Sequence, residues 1–245
     1  MSDQSQPRSV TSGCGDFRSK IVTPIGYGTA KRVVELGRKA FFGTEDADLP
    51  VRASEVLRAD DRIPQFGYVG RNYAERRILL LGINPGNGPD GIGRTPGDAR
   101  MLPSLAAFAK APTPLNFVEA CDHYVQECRQ WQIWKRHCAR ILEAGRMEYD
   151  EIAFMNCLPW RTASESNFSD YISEKTSQLY ISPLLEELKP KLIIAMGKSR
   201  VPDIIVKSGA DKHQIMVWNR SQAPTPAAII ERDTILKRLR VLSQY

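Results

Sequence analysis

Three asparagines occupy positions from which their side chains can do chemistry, because each one comes at the end of a short apolar run. Asn84 follows "ILLLGI", Asn156 ends "EIAFMN", and Asn219 follows "HQIMVW". An asparagine amide donates and accepts hydrogen bonds at the same time, and asparagine is disfavoured inside strands. If the runs are neighbouring strands, the three amides can bind one polar ligand at a common rim. The alternative for each asparagine is that it satisfies only its own loop.

A loop rich in glycine, proline, asparagine and aspartate follows the first of these runs, as "NPGNGPDGIGR" at 84–94. Small residues of this kind allow the backbone to approach a ligand closely. The glycine spacing matches neither G-x-G-x-x-G nor G-x-x-x-x-G-K-[ST], so the loop is only a weak indication of a nucleotide-phosphate site.

Strands and helices alternate around these motifs. Continuous apolar runs predict four buried strands at 77–83, 151–156, 191–197 and 213–218. Amphipathic periodicity predicts helices at 29–42 (ending at Gly43), 118–142, 173–188 (with a break at Ser182-Pro183), 200–209 (closed by Gly209) and 225–241. This alternation predicts an α/β fold, a three-layer α/β/α domain with a central four-stranded, mainly parallel sheet. Ligands of such sheets bind at the carboxyl ends of the strands.

The domain organisation predicted from length and composition is simple. The 245 residues suffice for one domain. The sequence contains no run of 18 apolar residues, so no membrane span is predicted. We expect a flexible tail over 1–24 and a single domain over 25–245, in which 25–65 form a helical extension. The amino terminus lacks the apolar segment of a secretory signal, and five cysteines without a C-x-x-C pair favour reduced thiols. A cytoplasmic protein is therefore expected.

The positive charge is concentrated near the carboxyl terminus. The net charge is +6, and the segment 191–220 alone holds six basic and two acidic residues. A local basic surface suits a polyanion such as nucleic acid, although a solvated basic face without a partner gives the same pattern.

Four segments together resemble the uracil-DNA glycosylase superfamily, over about residues 66–240. "LLLGINPG" is similar to its first motif, above all in the mismatch-specific and single-strand-selective branches, where asparagine replaces aspartate. "FMNCLPW" resembles the strand end that reads a pyrimidine edge, and "KPKLIIAMGKSR" resembles the strand and turn before the second catalytic motif. "NRSQA" stands where the superfamily carries a short His-Pro-Ser or Asn-Pro-Ser loop.

The resemblance implies a monofunctional DNA glycosylase that flips out a pyrimidine, either uracil or a modified cytosine, and leaves an abasic site. In that reaction Asn84 orients the attacking water, and Asn219 donates a hydrogen bond near O2 of the departing base. The implied contacts to base and sugar are Gly82, Ile83, Pro85, Gly86 and Asn156, joined by Asp90 and Arg94 for polar substituents. The implied DNA contacts are Lys198, Arg200, Arg220, Ser221 and Gln222.

Two departures from the superfamily pattern affect the expected substrate. Arg220 stands in place of the proline of the second motif, and the loop after Gly86 lacks the aromatic ring that stacks on the flipped base. One hypothesis is a pocket for a larger base, such as hydroxymethylated or glucosylated cytosine of phage DNA, with Asp98 as a further polar contact and a role in antiviral defence. The alternative is that Phe108 or Trp160 supplies the missing ring.

A function of another class remains open, because an altered second motif is also what a non-catalytic nucleic-acid-binding module would have. No metal or other cofactor is expected: the cysteines and histidines at 121–138 lie too far apart along one helix to hold one ion. We expect a monomer whose partner is duplex or single-stranded DNA.

Overall fold

A five-stranded mixed sheet organises the computed structural model, which describes residues 23–42, 63–83, 85, 97–160, 169–197, 200–221 and 224–242. The strands are β1 (Gly67–Val69), β2 (Ile78–Gly82), β3 (Ile152–Asn156), β4 (Leu192–Met196) and β5 (Ile215–Trp218). Their order across the sheet is β1-β3-β2-β4-β5. Strands β2 to β5 are parallel, and β1 pairs antiparallel with β3.

The four predicted strands are all present, and the predicted number of strands is wrong by one. Every residue of β2, β3 and β4 is buried, as expected for parallel strands covered on both faces. The fifth strand, β1, has only three residues and begins with Gly67, so it shows neither a long apolar run nor an alternating pattern.

Nine α-helices lie in the described part of the chain. They are α1 (Tyr27–Phe42), α2 (Tyr73–Arg76), α3 (Asp98–Lys110), α4 (Pro114–Cys128), α5 (Ala139–Gly145), α6 (Asp170–Thr176), α7 (Ser182–Leu188), α8 (Arg200–Lys207) and α9 (Pro226–Leu242). None of these helices is both long enough and apolar enough to cross a membrane. Gly209 follows α8 with φ of 84°, as its predicted role in closing that helix requires.

The single helix predicted over 118–142 is instead two helices separated by a turn at 129–131, and a π-helical segment, Trp134–Cys138, leads into the second one. Apolar residues in this region are spaced by three positions from Val125 to Trp134. Each such step lags the helical repeat by about 60°, so the stripe turns around the axis. One straight helix cannot bury all of these residues, and α4 ends at Cys128. In 173–188 the predicted break at Ser182-Pro183 is absent: the segment stays helical, and a π-helical turn, Ser177–Ile181, passes into α7 at that point.

The amino-terminal helix is tied to the rest of the domain through one carboxylate. Glu187 of α7 accepts hydrogen bonds from the backbone N–H groups of Gly26, Gly28 and Thr29, at 2.8, 3.1 and 2.8 Å. A carboxylate is stabilised there by the unpaired N–H groups at the start of α1. The predicted extension is thus packed over 23–42, although Gly37 (φ 67°, ψ 171°) breaks α1. Gly43 and the rest of the extension up to residue 62 lie outside the described residues.

The order of the strands creates a reversal at the centre of the sheet. The chain passes from β2 to β3 in one direction, then from β3 to β4 and β5 in the other. Right-handed crossovers place the first connection on one face and the later two on the opposite face. Accordingly α5 packs on α9, whereas α6 packs on α8. The fold is consistent with three α/β/α layers, and the reversal lies between the carboxyl ends of β2 and β4, where such sheets bind ligands.

Replacing Gly67 with alanine should weaken the pairing of β1 with β3. Gly67 has φ of +115°, and an added Cβ would lie 2.0 Å from the carbonyl oxygen of Phe154. We expect Gly67→Ala to lower the free energy of unfolding by about 2–3 kcal/mol in chemical denaturation. Gly209→Ala is the control, because its φ is +84° but no atom lies within 4 Å of the added Cβ. Its cost should be about 1 kcal/mol, and equal costs would contradict the close approach at Gly67.

Candidate functional site

The sequence-predicted site residues fall into two groups. Eight lie at or just beyond the carboxyl ends of β2, β3, β4 and β5: Gly82, Ile83, Pro85, Asn156, Arg200, Asn219, Arg220 and Ser221. Six lie outside the described residues: Asn84, Gly86, Asp90, Arg94, Lys198 and Gln222. Two of the three asparagines can therefore be placed, and both lie at the same edge of the sheet.

The backbone beyond β2 is fastened to the backbone beyond β3. Gly82 and Asn156 are register partners, and the pairing continues past the strands. Cys157 N–H donates to the Gly82 carbonyl oxygen and Leu158 N–H to that of Ile83, both at 2.8 Å. Since these carbonyls are engaged, the backbone of Gly82 and Ile83 is held against the segment that follows β3.

Asn156 is a buried amide whose nitrogen is fully used inside the protein. The residue is 2% exposed, and its Nδ2 donates to the carbonyl oxygen of Gln65 at 2.9 Å and to the hydroxyl of Tyr124 at 3.2 Å. A carbonyl oxygen only accepts, so the atom that faces Gln65 must be the amide nitrogen. The other half of the amide, Oδ1, lies 3.1 Å from where a Cβ on Gly82 would be. No described residue donates a hydrogen bond to Oδ1.

In Asn219 the oxygen of the side-chain amide, and not the nitrogen, is bonded within the protein. It is also 2% exposed, and its Oδ1 accepts a hydrogen bond from the N–H of Ser221 at 3.0 Å. This turn is the local role that asparagine commonly takes. It uses the acceptor half of the amide and leaves Nδ2 as a donor without a partner among the described residues. Asn156 therefore offers an acceptor and Asn219 offers a donor.

Arg232 of α9 holds the segment that follows β5. Its Nε donates to the Asn219 carbonyl oxygen at 2.7 Å and its Nη2 donates to the Ser221 carbonyl oxygen at 2.8 Å. Nη2 also donates to the Asn219 carbonyl, and the guanidinium lies 5.7 Å from the ring centroid of Trp218. The fork of Arg232 therefore holds the backbone on both sides of Arg220 in place.

A basic surface, formed by Arg136, Arg140 and Arg220 around His137, lies beside the end of β5. His137 Nδ1 accepts a hydrogen bond from Trp218 Nε1 at 3.2 Å, so Nε2 carries the proton of the neutral ring. Burial lowers the pKa of His137, and the nearby guanidinium groups of Arg232, Arg220, Arg136 and Arg140 lower it further. The exposed side chains of Arg136 and Arg140 form no ion pair with any described residue.

Arg200 begins α8, as predicted, but its guanidinium is already engaged. Its Nη1 donates to Asp170 Oδ1 at 3.3 Å in an exposed ion pair. Such exposed pairs contribute little to stability and exchange readily for other partners. The proposed phosphate contact at this position therefore requires Arg200 to leave or to share Asp170.

The two rings considered as stacking partners for a base are enclosed in the core. Phe108 is 0% exposed and packs on Tyr27, and Trp160 is 1% exposed with its ring centroid 4.9 Å from that of Phe41. Neither ring presents a free face, so the structure does not favour them as a substitute platform. Asp98, the further polar contact considered, is 4% exposed in the first turn of α3.

A cavity of about 560 Å³ lies at the other end of the sheet. Val69 and Asp150 line it, beside Ala153 near the amino end of β3. There Arg71 pairs with Asp122, and the guanidinium of Arg129 lies 4.0 Å from the ring centroid of Tyr149. This cavity is separate from the strand ends that carry Asn156 and Asn219.

The described cysteines belong to the core. All four are free and buried: Cys121, Cys128, Cys138 and Cys157. Burial raises the pKa of Cys121 to about 12, so its thiol is unreactive at neutral pH. No group of three or more His, Cys, Asp or Glu side chains in the described ranges is placed to hold a metal ion.

Comparison with known proteins assigns no family. No model of a protein family matches this chain, and no curated protein matches it significantly in sequence.

Several residues that shape this site are absent from the sequence-based prediction. They are Gln65, Tyr124, Arg136, Arg140 and Arg232. Gln65 gives a faint signal as a lone polar residue between Pro64 and Phe66, and the other four resemble ordinary residues of amphipathic helices.

Removing the fork of Arg232 should destabilise the segment after β5. Arg232→Met keeps much of the apolar stem but leaves the carbonyls of Asn219 and Ser221 without their charged donor. We expect a loss of about 3 kcal/mol in the free energy of unfolding, measured by chemical denaturation. The control is Arg238→Met, whose bonds to the His213 carbonyl at 3.2 and 3.3 Å are exposed. That change should cost less than about 0.5 kcal/mol. A similar cost for both variants would contradict the stabilising role given to the fork of Arg232.

Proposed function

We propose that this protein is a monofunctional DNA glycosylase that hydrolyses the N-glycosidic bond of a flipped-out pyrimidine. The observation that carries the proposal is the pair of buried asparagines at one edge of a parallel sheet. Each amide has one half bonded within the protein and one half without a partner among the residues that the structure describes, an acceptor on Asn156 and a donor on Asn219. A pyrimidine edge carries both donors and acceptors, so two such groups suit its recognition.

The distance between these two residues fits a nucleotide better than a small ion. Strands β3 and β5 are separated by β2 and β4, which corresponds to about 14 Å at the usual strand spacing. An extruded pyrimidine base, together with the two amide side chains that reach it, spans a gap of this order, whereas one ion does not. Strand β2, which precedes Asn84 in the sequence, lies between the strands that carry the two asparagines, and in the proposed reaction the attacking water meets the sugar there.

The chemistry assigned to the three asparagines follows from where charge develops. As the bond breaks, positive charge grows on the sugar and negative charge on the departing base. In the proposed reaction Asn84 orients water through its side-chain oxygen, and Asn219 Nδ2 donates to O2 of the base. Neither side chain ionises, so the expected turnover is modest compared with that of an enzyme that uses aspartate and histidine.

The similarity of the motifs to the uracil-DNA glycosylase superfamily supports the same assignment. The motifs that carry it come at the carboxyl ends of β2, β3 and β5 and in the strand and turn of β4. The two departures also stand. Arg220 in place of proline suits insertion into DNA or contact with a phosphate, and a loop sequence without an aromatic residue suits a modified cytosine of phage DNA. Excision of such a base would act in antiviral defence.

The basic surface defined above gives DNA a path to the site. Arg136 and Arg140 add two exposed guanidinium groups beside Arg220, at the end of the strand that carries Asn219. Phosphates of one strand can be neutralised there while a base enters at the strand ends. We propose the chain acts on DNA as a cytoplasmic monomer.

A non-catalytic nucleic-acid-binding module is the second candidate, favoured by the altered segment after β5. Arg220 replaces the expected proline, and Asn219 uses its side-chain oxygen to hold Ser221. Both features are compatible with a segment that contacts DNA without promoting departure of a base.

Excision assays separate the two candidates. Oligonucleotides containing uracil, 5-hydroxymethylcytosine or glucosylated 5-hydroxymethylcytosine, single-stranded and duplex, are incubated with the protein and then cut at abasic sites with alkali. We expect excision of at least one base, reduced about 100-fold or more in Asn84→Ala and in Asn219→Ala. Asn72→Ala is the control, because Asn72 bonds to Asp150 at the opposite end of the sheet. Salt-sensitive binding with no excision of any base would identify the binding module instead.

Binding as a function of salt tests the basic surface. The double variant Arg136→Gln/Arg140→Gln should reduce the slope of log K against log salt by about 1.8 for duplex DNA, because two phosphate contacts are lost. The matched control is Arg32→Gln/Lys39→Gln, two exposed basic residues of α1. The same slope change in both double variants would mean that general charge, and not this surface, determines the affinity.

A further inference from the structure

We infer that Asn156 makes the site selective for pyrimidines with an amino group at position 4, the cytosine class, over the 4-oxo pyrimidine uracil. This inference rests on the proposed function, since it concerns the base that enters the same site. It goes further because it chooses between the two bases that the motifs leave open. The choice depends on the orientation of one buried amide.

The surroundings of Asn156 allow only one orientation of its amide. The Gln65 carbonyl oxygen accepts from Nδ2 at 2.9 Å, and a flipped amide would bring two oxygens together at that distance. The hydroxyl of Tyr124 tolerates a flip, because it can donate a hydrogen bond to the amide oxygen that would then face it. The Gln65 carbonyl does not tolerate it, because it would lose its donor. A buried carbonyl without a donor is costly, and this cost keeps Nδ2 inward.

The Gln65 carbonyl cannot move aside to relieve such a conflict. Gln65 N–H donates to the carbonyl oxygen of Pro159 at 2.5 Å, and Asn156 N–H donates to that of Phe66 at 2.8 Å. Gln65 as a whole is only 1% exposed. These two backbone bonds hold the segment before β1 against the segment after β3, so the carbonyl stays where it fixes the amide.

Asn156 therefore presents Oδ1, an acceptor, at the end of β3 beside Gly82. Cytosine and its 5-substituted forms carry a 4-amino group, which donates hydrogen bonds. Uracil carries O4 at this position, an acceptor that an amide oxygen repels. The donor on Asn219 does not discriminate, because both bases carry O2.

The size of the preference follows from the polarity of the mismatch. A buried site built to hydrogen-bond one group rejects an analogue that leaves the site unpaired far more strongly than an apolar pocket rejects a size difference. With O4 of uracil against Oδ1, two acceptors face each other. We expect a preference of about 100-fold or more for the 4-amino base. The alternative is that uracil binds in a shifted position, in which its N3–H donates to Oδ1. Preferred excision of uracil would reveal that position.

Two measurements on the full-length protein test the inference. The first compares excision rates for single-stranded oligonucleotides that differ only in one base: cytosine, 5-hydroxymethylcytosine or uracil. The second measures equilibrium binding of the same sequences with a 2′-fluoro-arabino sugar at that base, which slows cleavage. The expected result is a preference for the 4-amino bases in both measurements.

Two variants connect the preference to Asn156. Asn156→Ala should bring the ratio of cytosine-type to uracil affinity close to one. Tyr124→Phe, a milder change, removes one partner of Nδ2 and should reduce the ratio several-fold, while the control Tyr149→Phe at the opposite end of the sheet leaves it unchanged. A ratio that survives both Asn156→Ala and Tyr124→Phe would overturn the role given to this amide.

The outcomes also separate this inference from the proposed function. Preferred excision of uracil would overturn the amino selectivity while the glycosylase assignment stands. Absence of excision for every base would overturn the glycosylase assignment, and the binding measurement would then decide alone. In that case, tighter binding of the cytosine analogue supports the inference, and equal binding of both analogues refutes it.

Discussion

The hydrogen bond from Asn156 Nδ2 to the carbonyl oxygen of Gln65 is the interaction on which the chemistry of this site depends. Buried polar groups must be satisfied, and an amide has a donor half and an acceptor half that cannot be exchanged without cost. Once Gln65 and Tyr124 have engaged the nitrogen, only the oxygen is available to a ligand. In the proposed site, specificity is therefore determined by the amide atoms that the protein's own hydrogen bonds leave without a partner.

The same reasoning applies at the end of β5, with the opposite result. The N–H of Ser221 engages the oxygen of Asn219, and Arg232 holds the carbonyls of Asn219 and Ser221. The nitrogen of that amide is what remains. Because β3 and β5 run parallel in one sheet, both asparagines lie at the same edge, where the strand order reverses and where sheets of this kind bind ligands. The fold supplies the shared rim, and local hydrogen bonds decide which group each strand end contributes.

The sequence predicts the strands whose ends form the site better than it predicts which hydrogen-bonding groups those ends offer to a ligand. The strands that end at Gly82 and Asn156 are visible as unbroken apolar runs, because burial on both faces demands them. The short strand Gly67–Val69 is not visible, since three residues carry no periodicity. The orientation of the Asn156 amide could not be predicted, because it depends on Gln65 and Tyr124, which lie 91 and 32 positions away in the chain. Arg232 was missed for a related reason: its partner carbonyls belong to backbone, which leaves no trace in residue types.

The basic surface supplies a charge that three asparagines cannot. In the proposed reaction a base leaves with negative charge, and neutral amides stabilise it only through dipoles. His137 lies next to Trp218, yet burial and the neighbouring arginines lower its pKa, so it adds no positive charge at neutral pH. The arginines that lower the pKa of His137 remain positively charged. One of them, Arg232, donates a hydrogen bond to the backbone carbonyl of Asn219. In the proposed reaction, a positive field fixed beside a neutral donor favours the departing anion over the neutral base, and this field is what would allow an asparagine to act there in place of a charged residue.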